Sequence, residues 1–246
     1  MAPVGGNGVD GLRIVRPRPP RWRCDAPGSM HLVSINVGRP REVEWRGKLV
    51  RTAIFKDPVG GPVRVRALNL AGDEQADLAV HGGADKAVYV YPGEHYGYWR
   101  EQLPGEKLPW GAFGENLTTD GLRETTVCIG DRVLVGSAEF LVTQPRLPCF
   151  KLGIRFGRPD MVKRFQHSER SGFYLAVLRE GVVSAGDAIR LISAGDAGVT
   201  VADIARLYTT DANEREQELL RRASGLDALP ESWREHFRNR LRERGV

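Results

Sequence analysis

Short apolar runs, continuous or alternating with polar residues and separated by glycine and proline, dominate the chain from position 31 to position 192. Such runs are typical of β-strands, in which successive side chains point to opposite faces. Many short strands at regular spacing, with a few inserted helices, predict a mainly β fold that closes into a β-barrel. The predicted strands are 31–37, 52–56, 63–68, 87–91, 126–129, 132–135, 138–143, 173–178 and 188–192.

Turn signals and helical spacing connect these strands. The Asp-Pro and Gly-Gly pairs within 57–61 predict a turn between the second and third strands, and Gly130 with Asp131 predicts a hairpin. Pro92 stands where a helix would begin, with Trp99 on its apolar face. A second short helix is predicted over 159–166.

The pattern changes to helical after position 193. Thr200 with Asp203 and Asp211 with Glu214 have the spacing of capping boxes, and Pro230 is typical of a first helical position. Three short amphipathic helices are therefore expected, and helices of this length need a surface to pack on. We predict a barrel domain over 30–195 and a three-helix domain over 196–246.

Residues 1–29 are rich in glycine, proline and arginine and lack apolar periodicity, so we predict a disordered leader. Met30 directly precedes the first strand, which leaves translation from Met30 as an alternative. The leader holds five arginines and two aspartates and thus contributes +3 of the net charge of +5. The rest is nearly neutral, which argues against a nucleic-acid binder.

Apolar runs are too short to span a membrane, so no membrane association is expected. The three cysteines, at positions 24, 128 and 149, are widely spaced. They form no metal-binding or disulfide pattern, and reduced thiols favour a cytoplasmic protein.

The segment around Cys149 carries the strongest chemical signal. Pro145 and Pro148 stiffen the approach to the cysteine, and Arg146 and Lys151 flank it. Nearby cations stabilise a thiolate, which is the form that binds metals or attacks electrophiles. A buried cysteine that acts as a small apolar residue is the alternative, and this segment alone leaves both open.

Three other segments contain candidate binding or catalytic groups. His81, Gly82, Gly83 and Lys86 form a loop whose backbone amides could bind an anion, although a simple glycine turn is the alternative.

His95 lies among aromatic residues that would line a pocket or simply pack in the core. Glu115 and Asn116 belong to a polar, glycine-bounded loop that would bind or protonate a ligand, or only satisfy its own backbone.

Taken together, these motifs resemble one family. In chain order they are His-Gly-Gly-x-x-Lys-Ala, Tyr-Pro-x-Glu-His-Tyr-x-Tyr-Trp, Phe-Gly-Glu-Asn-Leu-Thr-Thr-x-Gly and Gln-Pro-Arg-x-Pro-Cys-x-Lys-Leu. The combination resembles a MOSC domain of the YiiM type over about 32–192. The following helices are similar to the three-helix appendage that often accompanies this domain.

The resemblance implies a β-barrel related to molybdenum-cofactor sulfurases and an oxidoreductase that reduces N-hydroxylated compounds, such as N-hydroxylaminopurines, in detoxification. It implies a molybdenum–pyranopterin cofactor, with Cys149 as the molybdenum ligand. An association with pyridoxal phosphate binding is also implied.

Residue roles follow from that resemblance together with side-chain chemistry. The cofactor carries phosphate, so Arg146, Lys151, Lys86, the 81–83 loop and Asn116 are expected to contact it. Reduction of N–OH needs two protons, for which His81, His95 and Glu115 are candidate donors.

Two alternatives of other classes remain. In the first, the protein is a carrier that holds sulfur or the molybdenum cofactor through Cys149. In the second, the chain is a non-catalytic interaction module. A reductase would need a separate electron-donor protein, because no flavin or iron–sulfur motif is present. A homodimer is compatible with the amphipathic helices.

Overall fold

The computed structural model describes residues 30–76, 82–195, 198–210 and 216–245. The predicted leader, His81 and the predicted capping box at 211–214 lie outside the described residues.

Strands dominate the first two thirds of the described chain, where the sequence alternates or is continuously apolar. They are β1 (His31–Val37), β2 (Arg41–Trp45), β3 (Lys48–Thr52), β4 (Asp57–Val59), β5 (Val63–Val65), β6 (Val88–Pro92), β7 (Leu117–Asp120), β8 (Arg132–Val135), β9 (Ala138–Pro145), β10 (Phe173–Arg179), β11 (Gly181–Val183) and β12 (Ile189–Ser193).

Eight of these strands form one mixed sheet in the order β12-β8-β9-β10-β6-β7-β1-β4, and the pairs β2–β3 and β5–β11 form two small sheets. Backbone bonds from Leu32 N to Asp187 O (2.9 Å) and from Ile189 N to Met30 O (2.8 Å) link β1 to the segment entering β12. Strand β1 is thus bonded both to β7 and to the lead-in of β12, which brings the far parts of the sheet together.

Helices insert between strands and follow the last strand. They are α1 (His95–Gln102), α2 (Phe150–Phe156), α3 (Met161–His167), α4 (Val201–Thr209), α5 (Gln217–Ser224) and α6 (Glu231–Glu243), with a short 3-10 helix at Ala84–Lys86. The predicted mainly β fold with inserted helices and a helical C-terminal domain is confirmed. In the described part of the chain, no helix is long and apolar enough to cross a bilayer.

The predicted strand over 52–56 and the turn predicted after it are wrong in detail, and a hairpin that was not predicted precedes them. The chain turns at Arg46 and Gly47, both with positive φ (51° and 73°), and pairs β2 with β3. Both strands are mostly exposed and charged, so they lack the apolar alternation on which the prediction relied. Residues 53–56 leave the sheet, and β4 pairs with β1 rather than with β5.

The hairpin predicted at Gly130 is also wrong. Only Cys128 of the segment 126–129 makes a bridge, and its partner is Thr200. The reason is Asp131, whose carboxylate accepts bonds from Cys128 N (2.8 Å) and Gly195 N (2.8 Å) and so ties the loop to the segment before α4. Helix α1 begins at His95 instead of Pro92, because Pro92 still belongs to β6.

The three C-terminal helices pack directly on the sheet. Thr200 and Asp203 form the predicted capping box at the start of α4. Apolar side chains of α4, α5 and α6 share one buried cluster with sheet residues such as Val142. A buried bond from Trp233 Nε1 to Gln144 Oε1 (2.7 Å) anchors α6 to the end of β9.

Trp233→Phe tests this anchor. The change removes the indole N–H and leaves the buried Gln144 carbonyl without its donor, so the free energy of unfolding should fall by about 1–3 kcal/mol. Urea denaturation measures the change. Trp45→Phe, which removes an indole from the exposed β2–β3 hairpin, is the matched control and should cost less; an equal loss in both variants would contradict the anchor.

Candidate functional site

Cys149 lies between the end of β9 and the start of α2. It has extended backbone angles (φ −123°, ψ 171°), and its carbonyl accepts the first helical bond from Leu152 N (2.9 Å). The residue is half-buried, and it forms no disulfide with Cys128, the other cysteine that the structure describes. It lines a cavity of about 110 Å³, so the structure favours an accessible cysteine over a purely packing role.

Four cationic side chains line this cavity together with Cys149. Arg146, Lys151 and Lys86 were expected from the sequence, and the structure brings all three together with the cysteine. Lys56 is the fourth and was not expected. Because an enclosed group of cations raises the local concentration of anions, the cavity suits a negatively charged ligand.

Arg146 is the most deeply placed of the four. Only 6% of its surface is exposed, and its guanidinium carbon lies 5.1 Å from the Tyr89 ring centroid and 5.0 Å from that of Phe165. The guanidinium nitrogen Nη1 is buried and has no hydrogen-bond partner among the described residues. A buried donor of this kind costs free energy unless a ligand satisfies it.

Tyr174 lines the same cavity. Burial raises the pKa of its phenol, and a hydrogen bond with Arg146 opposes that rise. Its ring lies 5.3 Å from that of Tyr89, whose hydroxyl donates to Ser171 O (2.8 Å). Among the described residues, Arg146 is therefore held by aromatic faces and one phenol, with no carboxylate paired to it.

Lys56 pairs with Asp73, and both residues line the cavity. Burial lowers the pKa of the Lys56 ammonium, against the raising effect of Asp73. The Asp73 carboxylate also accepts bonds from Gly38 N (2.8 Å) and Asn116 Nδ2 (2.9 Å). The charge of Lys56 is thus balanced inside the protein by Asp73.

Asn116 lines the cavity but serves mainly to hold its walls. Its Nδ2 donates to Asp73, and its Oδ1 accepts from Tyr89 N (3.1 Å). These bonds use much of the side-chain amide's hydrogen-bonding capacity, and the cofactor contact by Asn116 stays a prediction. Asn116 acts as a positioning residue between β6, β7 and Asp73.

Glu115 is fully buried and does not line the cavity. Its carboxylate accepts bonds from Tyr96, from the amides Gly111 N (2.8 Å) and Phe113 N (3.1 Å), and from Thr118 Oγ1 (3.0 Å). Burial raises its pKa. These contacts organise the 111–118 loop, and the geometry does not favour the predicted proton-donor role.

His95 is likewise absent from the cavity wall. Its Nε2 lies 2.8 Å from Glu124 Oε2, and Glu124 also accepts a bond from Gly172 N (2.6 Å). Gly172 adjoins the aromatic wall, and any side chain there would collide with Val90 O (2.4 Å). His95 therefore supports the packing of β10 on β6, and its proton-donor role finds no support in its position.

The loop that contains Gly82 and Gly83 is held by the side chain of Gln75. Gly83 has φ of 101°, and its amide donates to Gln75 Oε1 (3.2 Å), while Gln75 Nε2 reaches Lys86 O (3.3 Å). The Gly83 amide is therefore already bonded, and neither Gly82 nor Gly83 lines the cavity. Lys86 remains as the part of this loop that reaches it.

The described residues contain no cluster of three or more His, Cys, Asp or Glu side chains that would hold a metal ion. A metal at Cys149 would thus need most of its ligands from a bound cofactor.

The comparisons with known proteins agree with the fold. The MOSC domain model matches residues 77–190, and the model named YiiM-like, 3-alpha helix domain matches residues 199–244. A crystal structure of YiiM from Geobacillus stearothermophilus superposes with a TM-score of 0.71 at 38% identity, covering 86% of this chain and 99% of that one. This chain belongs to the MOSC family and is of the YiiM type.

Two curated relatives of this YiiM-type chain add detail. The Bacillus subtilis protein YflK, itself described as uncharacterized, is 44% identical over 206 residues, which cover 84% of this chain and 92% of YflK. A Gibberella moniliformis protein named "Reductase" is 38% identical over 164 residues, covering 65% of this chain but only 29% of that protein. That name describes a protein of which the shared part makes up less than a third.

The Lys56–Asp73 pair predicts an asymmetric response to substitution. Asp73→Leu leaves the Lys56 ammonium buried without its partner and should lower the free energy of unfolding by about 3–5 kcal/mol. Lys56→Met should cost less, because Asp73 keeps its bonds from Gly38 and Asn116. Chemical denaturation of both variants provides the test, and a larger loss for Lys56→Met would refute this description of the pair.

Proposed function

We propose that this YiiM-type protein reduces N-hydroxylated compounds with a molybdenum–pyranopterin cofactor bound through Cys149. The observation that carries the proposal is the combination of an accessible cysteine with a buried, unpaired Arg146 nitrogen in one cation-lined cavity. Cytoplasmic location and a separate redox partner protein belong to the same proposal.

The residues fit such a cofactor. A thiolate is a soft ligand suited to a redox metal, and the cofactor's own sulfur atoms would supply the ligands that the protein lacks. Arg146, which lines the cavity and has a buried nitrogen without a partner among the described residues, would suit a phosphate oxygen, and Lys86 and Lys151 line the same cavity. Pyridoxal phosphate finds no support among the family models or relatives and is not part of the proposal.

Reduction of the N–O bond is balanced as R–NHOH + 2 e⁻ + 2 H⁺ → R–NH₂ + H₂O. The bound cofactor would supply the two electrons, and a separate electron-donor protein would then have to reduce the cofactor again. The chain itself would hold the cofactor, exclude water with Tyr89 and Tyr174, and deliver protons. Among the titratable side chains lining the cavity, Lys86, Lys151 and Tyr174 replace His95 and Glu115 as candidate donors.

Cys149→Ser tests the proposal in protein made in a host that synthesises the cofactor. A serine hydroxyl is a poor ligand for this metal, so the variant should stay folded but lose most of its molybdenum and its turnover of 6-N-hydroxylaminopurine with a chemical reductant. Metal analysis and product formation are the measurements.

Cys128→Ala is the matched control. Burial raises the pKa of the Cys128 thiol to about 12, and that residue does not line the cavity, so molybdenum and turnover should be retained. Full molybdenum content and activity in Cys149→Ser would refute the proposal. Parent protein that holds and transfers the cofactor without turnover would instead establish the carrier function.

A further inference from the structure

A second cavity, of about 250 Å³, lies between the two domains. One wall is α4 of the three-helix domain, with Ala202, Ala205 and Thr209. The other walls are Leu147–Pro148 and the segment 165–171 at the end of α3. We call this cavity the interdomain cleft.

The interdomain cleft adjoins the Cys149 cavity. Arg146 and Leu147 line both. The Arg146 guanidinium also lies over two rings that belong to different cavities, Tyr89 to the first and Phe165 to the second. The segment that leads to Cys149 is therefore the shared wall, and a ligand in the cleft would lie next to the thiol-bearing cavity.

The chemistry of the cleft differs from that of the Cys149 cavity. Its lining is largely apolar, from Leu147, Pro148, Phe165, Ala202 and Ala205. The four charged residues that also line it, Arg146, Glu169, Asp203 and Arg206, balance in sign, and Arg206 is paired with Asp203 (3.2 Å) and with Glu216. An uncharged ligand is therefore favoured here, whereas the neighbouring cavity favours an anion.

Hydrogen-bonding groups are spread around this apolar surface. Thr125, Gln166 and Ser171 contribute polar atoms from the MOSC domain, and Thr209 from α4. The cleft is somewhat smaller than the roughly 300–1,000 Å³ typical of drug-sized ligands. A flat heterocycle with polar edges matches both its size and its lining.

We propose that the interdomain cleft binds the heterocyclic body of the N-hydroxylated substrate, and that α4 of the three-helix domain determines which substrates fit. This inference rests on the proposed function for the identity of the ligand. It assigns the three-helix domain a part in substrate selection in addition to its packing role.

Ala205→Phe tests the inference by filling the cleft from α4. Binding of 6-N-hydroxylaminopurine to the full-length protein, measured by calorimetry without an electron donor, should weaken about tenfold or more. Asn239→Phe adds the same side chain to an exposed position of α6 and should bind like the parent. Gln166→Trp fills the cleft from the opposite wall. It should weaken binding too, and it leaves α4 unchanged.

Turnover separates this inference from the proposed function. With molybdenum-loaded protein, Ala205→Phe should raise KM for the purine about tenfold while leaving turnover of hydroxylamine, which is too small to need the cleft, unchanged. Loss of turnover in the parent would refute the proposed function but not the binding result. Unchanged purine binding in both filling variants, or no binding by the parent, would overturn the cleft assignment.

Discussion

A buried guanidinium with an unpaired nitrogen is the constraint on which the site depends. Arg146 is almost completely enclosed, yet aromatic faces and one phenol surround it instead of a carboxylate. Such an arrangement has a cost in the absence of a ligand, because one buried donor finds no partner among the described residues. It becomes favourable when an anion completes the set of hydrogen bonds, so the fold holds Arg146 ready for a ligand.

The rest of the molecule holds that arginine and Cys149 in position next to each other. Both residues follow the end of strand β9. That end is fixed by Gln144, whose Oε1 accepts a bond from Trp233 of α6 and whose Nε2 lies 3.4 Å from Asp85 O, beside Lys86. The three-helix domain therefore stabilises the end of β9, from which the chain continues into the cavity wall. Because α4 also lines the interdomain cleft, one small domain supports the cofactor cavity and borders the proposed substrate site.

Local patterns in the sequence were sufficient where the signal itself is local. Strands β1 and β9 and the capping box at Thr200 follow from alternation and spacing, and the grouping of Cys149, Arg146, Lys151 and Lys86 followed from their motifs. Contacts between residues that lie far apart in the chain left no such signal in the sequence. Lys56 and Asp73 are 17 residues apart in loops, and the Gly130 hairpin failed because Asp131 accepts a bond from Gly195, which lies 64 residues away. Helix α2 was missed because two prolines precede a very short helical segment.

Arg146→Met provides the most direct measurement of the central claim. The account predicts that this variant is at least as stable as the parent in urea denaturation without cofactor, since a buried charge gives way to an apolar chain of similar reach. It should also fail to retain molybdenum cofactor when made in a cofactor-producing host, while Arg146→Lys retains part of it. A variant that is clearly destabilised yet keeps its full cofactor content would show that Arg146 serves the fold, and would contradict the account.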